Sequence, residues 1–404
     1  PVGYDPLLFQ IEDAEPILDR RPRRLYSLEP YDPIGIRAGS FVLFPEVEFG
    51  FDALSNVFRS PAARADASFA IRPSVRLVSN WRTHALEFRT SGTLSTFNEF
   101  DSENEQGYLV EARGRLDISR RTNLQSTISR ELTQESRSAI DALSAGDRAD
   151  LTTDRATIAL QHRFNRLTLQ LRGSVTGQQY GAVTAGPLTI SNDDRDVTTT
   201  EQAVRAAWEL KPTLSVFTEV AVNQRAYDRA AQSDLIPRDS NGERYRAGLS
   251  FGSTGQILRG EISLGYGIQR PEDPRLADID GILLDSNLGW RVSELTSLLL
   301  SARSDVSETT TAFSGGVFTH QAGVEARHAF RRQLIGSAGL SYTTQDFAGV
   351  AIDESEWRAT LGAEYFLNRD TVLFGRYAHT MFSSSLPGTD YSADELRLGI
   401  RLRR

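Results

Sequence analysis

Leu167-Thr-Leu-Gln-Leu-Arg-Gly-Ser-Val-Thr176 alternates apolar or small residues with polar ones without a break. A period of two marks a β-strand with one oily and one wet face. The same beat returns near 41–54, 67–79, 84–100, 107–119, 122–135, 154–164, 166–180, 197–210 and 213–229. It continues near 243–252, 256–269, 281–291, 294–305, 317–330, 332–345, 355–367, 370–382 and 392–403. About eighteen such strands in a row need somewhere to put their apolar faces. The expected fold is all-β: a closed antiparallel up-and-down transmembrane β-barrel over 39–404, apolar outside and polar within.

Composition allows this. Hydrophobic residues make up 39% of the 404 and mean hydropathy is −0.35. Aliphatic runs such as Leu298-Leu299-Leu300 fall far short of the ~20 residues a spanning helix needs. A spanning strand needs only about 9–11, and only alternate ones apolar. With no cysteine, disulfides and thiolate chemistry are excluded, which suits export through an oxidising periplasm. The opening Pro1-Val2-Gly3 carries the expectation that a leader has been removed. A net charge of −8 argues against a nucleic-acid partner. Lys211 is the only lysine, so the cations are arginines.

The connections alternate in length. Asn80–Thr83, Arg120–Arg121, Asn165, Lys211–Pro212, Ser253–Gly255, Arg331 and Asn368–Arg369 are short; 136–153, 181–196, 230–242, 271–280 and 306–316 are longer and polar. Outer-membrane barrels are built this way, with turns on the periplasmic side and loops outside. An even strand count then puts both termini in the periplasm. Phe164, Trp208, Trp290 and Phe330 fall beside short turns; Tyr108, Tyr245, Tyr266, Tyr342 and Trp357 fall beside long loops. Two girdles at the two lipid–water interfaces account for that distribution.

Parity assigns the faces. In 107–119, Tyr108, Val110, Ala112, Gly114, Leu116 and Ile118 share one side, and Glu111, Arg113, Arg115 and Asp117 the other. An arginine facing mid-bilayer costs ~2–4 kcal/mol, so the charged side must face inward. The expected lumen-lining and substrate-contacting residues are Arg72, Arg76, Arg89, Arg113, Arg115, Arg172, Arg205, Arg246, Arg259, Arg303, Arg327, Arg358 and Arg397. Glu87, Glu261, Asp305 and Glu325 share that face. A barrel this wide holds water, and guanidinium forks suit carboxylates and sugar hydroxyls. The plainer alternative is that each arginine pairs with a neighbouring acid.

Residues 1–38 carry six prolines and the cluster Arg20, Arg21, Arg23 and Arg24, without sustained alternation. They are expected to form either a partial plug or a periplasmic segment whose arginines engage an envelope partner. His84, His162, His320, His328 and His379 stand one at a time, never at ligand spacing. Neither a nucleophile elbow nor a phosphate loop is present. Asp101-Ser-Glu-Asn-Glu-Gln-Gly107 and Asn192-Asp-Asp-Arg-Asp196 lack the ligand spacing of a calcium loop and read as solvated loops. No catalytic residue, metal or cofactor is expected.

Gly39-Ser-Phe-Val-Leu-Phe-Pro45-Glu-Val-Glu48, followed by Asn56-Val-Phe58, resembles the first strand of a family of outer-membrane β-barrel porins frequent in α-proteobacteria. Leu396-Arg-Leu-Gly-Ile-Arg-Leu-Arg-Arg404 is similar to that family's ending, though it lacks the terminal aromatic common among outer-membrane proteins. The resemblance implies an exopolysaccharide export conduit, set among lipid and lipopolysaccharide and working with a periplasmic exporter. The alternative is a plugged barrel that anchors a larger envelope or surface assembly.

Overall fold

The computed structural model describes residues 31–404 except 138, 140, 142–145, 186, 253–256 and 308. Its strands are β1 Ile36–Ala38, β2 Phe41–Leu54, β3 Asp66–Ser79, β4 Ala85–Phe97, β5 Glu105–Ser119, β6 Thr122–Gln134 and β7 Asp150–Phe164. Next come β8 Leu167–Tyr180, β9 Val183–Ala185, β10 Leu188–Ile190, β11 Val197–Lys211, β12 Leu214–Tyr227, β13 Ser240–Phe251 and β14 Leu258–Pro271. The last seven are β15 Ile279–Arg291, β16 Thr296–Ser307, β17 Val317–Arg331, β18 Leu334–Phe347, β19 Asp353–Phe366, β20 Thr371–Ser384 and β21 Tyr391–Arg403.

Leaving aside β1, β9 and β10, the eighteen long strands pair antiparallel with their sequence neighbours, and β21 returns to pair with β2. The sheet therefore closes on itself and has no edge. Several strands outrun their alternating segments; β7 begins at Asp150 and β13 at Ser240, because ladder pairing extends past the last apolar position. β1 pairs with Phe41–Leu43 through the Gly39-Ser40 turn, so the sheet itself begins at Ile36. β9 and β10 form a separate hairpin within a long loop.

Local sequence explains the tight ends. The β7–β8 turn is only Asn165-Arg166, with Phe164 opposite Leu167. Asn165 has φ 55°, a left-handed conformation that asparagine tolerates and a two-residue hairpin requires.

The alternation survives closure. On β12, Val216, Val220 and Val222 are exposed, whereas Phe217, Glu219 and Ala221 between them are buried. Exposed apolar residues of the same parity run round the wall, among them Phe69, Ile128, Leu171, Leu264, Leu361 and Leu398. A continuous outward apolar belt on a closed barrel is the surface that outer-membrane barrels present to lipid. Trp208, Phe164, Trp290 and Phe330 stand exposed at the short-turn end, and Tyr108, Tyr245, Tyr266 and Trp357 at the long-loop end.

One seam departs from regularity. β15 and β16 pair only from Asp285–Arg303 to Arg291–Ser297, leaving the long-loop halves of both strands unpaired with each other. Phe318 of β17 lies instead against Ile279 and Leu283 of β15. Its parity is that of the outward face and theirs of the inward face, so the top of the β16–β17 hairpin overlaps the inside of β15. Arg225 of β12 donates to the Val306 carbonyl (2.7 Å), a backbone acceptor left free by that break.

Candidate functional site

The site is the inner wall. All thirteen arginines picked out by parity lie on the face opposite the exposed apolar belt. Ten are ion-paired, in three kinds of arrangement.

The first spans β8 to β15. Glu219 on β12, 2% exposed at its side chain, accepts from Arg172 (3.4 Å) and Arg246 and lies 3.9 Å from Arg205. Each of these arginines has a second acid: Arg172 pairs with Glu201 (3.2 Å), Arg205 with Glu261 (2.5 Å) and Arg246 with Asp285. Arg244 joins through Glu201. Such a lattice of four cations and four anions is neutral overall. Arg205 also stacks 3.6 Å from the Phe217 ring centroid, which desolvates the network from below.

The second lies about half the circumference away. Arg72 and Arg397 share Asp52 (2.7 and 2.8 Å), and Arg397 and Arg358 share Glu395 (each 3.2 Å). Arg401 links Glu48 (3.1 Å) to Glu364 (2.9 Å). The third kind runs along single strands two residues apart: Arg113–Glu111 (2.7 Å), Arg115–Asp117 (3.1 Å), Arg303–Asp305 (2.9 Å) and Arg327–Glu325 (2.6 Å).

Arg76, Arg89 and Arg259 remain. Among the described residues none of them makes an ion pair or hydrogen bond; Arg76 rests over the Phe44 ring at 4.8 Å. Parity in the sequence sets Arg401 on the charged side of the last strand, but Arg244 and the acids Glu48, Asp52, Glu201 and Glu219 were passed over. Their parity was readable. Arg20, Arg21, Arg23 and Arg24 lie outside the described residues.

At the long-loop end the connections interlock. Arg137 binds Glu103 (Nε–Oε1 3.0 Å), Arg195 binds Glu135, and Gln232 binds Asp194 (3.1 Å). Arg238 donates to the Thr311 carbonyl (3.2 Å), and the Phe313 backbone N–H to Asp234 (2.7 Å). Asp141 accepts from the Thr309 and Thr310 hydroxyls at 3.1 and 2.9 Å. Asp141 follows β6 and Thr310 follows β16, eight strands apart one way round and ten the other. That contact crosses the mouth. Burial pushes the Asp234 carboxyl up, but the Phe313 and Ile236 N–H groups and Arg238 outweigh it and hold it below the ordinary 3.8. Asp196 is pushed up, by burial and by neighbouring Asp193 and Asp228.

At the short-turn end Tyr31 packs on Ile335, Phe366 and Val372, all on the inward face. Its carbonyl accepts from Arg403 (2.6 Å). The described chain therefore begins against the inner wall of that mouth.

Among solved structures the chain is similar to three proteins of Pseudomonas aeruginosa. OpdK shares 14% identity over 90% of this chain and 99% of that one, with a TM-score of 0.44. OccK3 (OpdO) shares 12% over 93% and 97%, at 0.46. OccK2 (OpdF) shares 11% over 90% and 97%, also at 0.46. No curated protein matches the chain. The profile of the family described as "Putative beta-barrel porin 2" matches residues 29–404. With that match over nearly the whole chain, this eighteen-stranded outer-membrane barrel belongs to the β-barrel porin family so described.

Proposed function

We propose that the protein is a passive, water-filled conduit for small polar solutes, without catalysis. Its long loops face outward, and its short turns and C-terminus face the periplasm. The observation that carries this reading is the inner wall: ionised side chains ring a barrel of eighteen strands, a circumference too wide for side chains to fill. The Asp141–Thr310 crossing divides the outer mouth, which favours small solutes over a polymer. Exopolysaccharide export, which the family resemblance implies, would require that crossing to part.

A scaffold reading keeps one observation in its favour: Tyr31 sits inside the short-turn mouth, so the preceding thirty residues start from a position where they could fill it. Planar-bilayer recording on the full chain and on a chain lacking residues 1–30 separates the two. An open, ohmic pore in the full chain supports the conduit. Conduction only after truncation supports the plugged scaffold, and silence in both overturns the conduit.

A further inference from the structure

The ionised side chains are not spread evenly along the barrel axis. The nine long connections between strands carry seventeen acidic and eight basic side chains. The eight short ones carry six basic residues (Arg82, Arg120, Arg121, Arg166, Arg332 and Arg369) against Glu294 and Asp370. The long connections are therefore net negative and the short ones net positive.

Of the thirteen arginines picked out by parity, the three without an ion-pair partner all lie toward the short-turn mouth. Arg76 is three residues from the short-turn end of β3, and Arg89 is its direct cross-strand partner on β4. Arg259 is the second residue of β14, which stands nine places from β3 in the ring of eighteen. Adjacent guanidiniums repel, and folding normally places an acid between them. Here Glu87 acts on Arg76 only at longer range, without an ion pair. Most other cations on this wall have an acid in contact, as Arg113 has Glu111 and Arg115 has Asp117; Arg376, opposite Arg397, and Arg155 are further exceptions among the described residues. Two forked donors side by side, facing water, match the bidentate geometry of an oxyanion. A low-dielectric wall around them focuses the field.

We propose that Arg76 and Arg89, faced by Arg259, form an anion-capture site at the short-turn mouth for solutes bearing a carboxylate or phosphate. The proposal rests on the conduit reading and deepens it: the acidic loops at the far mouth repel the same anions, so their favoured approach is from the short-turn side.

The test uses the full chain in planar bilayers, with inorganic phosphate and acetate as separate probes added to one side at a time. Current block by each probe gives its apparent affinity, and a salt gradient gives the anion-to-cation selectivity. In the Arg76→Gln/Arg89→Gln double variant, block by at least one probe should weaken about tenfold while the pore still conducts. Arg76→Lys/Arg89→Lys should keep most of the selectivity but lose part of the affinity, because ammonium retains the charge without the fork. Arg229→Gln/Arg275→Gln removes the same two charges from the long-loop end and should leave block unchanged. Block should also be stronger from the short-turn side. If the wild-type pore conducts but neither probe blocks it, or if the double variant is blocked as strongly as wild type, the site is refuted and the conduit stands. Silence of the wild-type pore would overturn the conduit reading itself.

Discussion

Glu219→Gln tests how the charged wall is held together. The substitution keeps shape and removes one charge from a carboxylate that three arginines approach. Breaking a fully buried ion pair costs roughly 3–5 kcal/mol, whereas an exposed pair is worth about 0–1 kcal/mol. Glu219 is buried, but its arginines are 11–26% exposed and each keeps a second acid. No cation is orphaned outright, so the loss should fall between those limits, at about 2–4 kcal/mol. Glu325→Gln is the matched comparison: its partner Arg327 is 52% exposed, and the loss should stay below about 1 kcal/mol. Urea unfolding of the barrel in lipid vesicles, followed by tryptophan fluorescence, measures both. Equal losses within about 0.5 kcal/mol would show that burial does not set the strength of these networks, refuting the reasoning.

Two further outcomes follow from the loops. Asp141→Ala removes the acceptor of the contact that crosses the outer mouth; single-channel conductance should rise, and an unchanged value would mean the crossing does not limit flow. Asp234 has a folded pKa below its ordinary value. Its stabilisation is therefore complete above about pH 4 and lost as the pH falls through the lowered value. Limited acid-protease cleavage of loop 228–239 should be slow at pH 5 and accelerate below pH 4, and a flat profile would contradict this.

The barrel was legible because most strands keep a period of two over most of their length. Parity alone put Arg113 and Leu116 on opposite faces, and ladder pairing preserved that assignment through β5. The along-strand pairs, such as Arg115 with Asp117, were readable for the same reason. What alternation does not encode is register between strands. Glu219 meets Arg172, 47 residues away, only because β8, β11 and β12 align at one height. The Asp141–Thr310 crossing needs the ring closed first. The broken β15–β16 seam was invisible too, since Phe318 holds the outward parity its strand demands and is turned inward only by the overlap. A two-residue rhythm names the face and leaves the neighbour open.

The most direct measurement uses the absence of cysteine: single cysteines placed one at a time from 168 to 175 on β8, probed in intact vesicles. A membrane-impermeant, water-borne thiol reagent should label positions 168, 170, 172 and 174 and spare 169, 171, 173 and 175, and a lipid-soluble quencher should give the complementary pattern. Uniform labelling, or labelling of Leu169→Cys and Leu171→Cys ahead of Gln170→Cys, would contradict a sheet with lipid outside and water within.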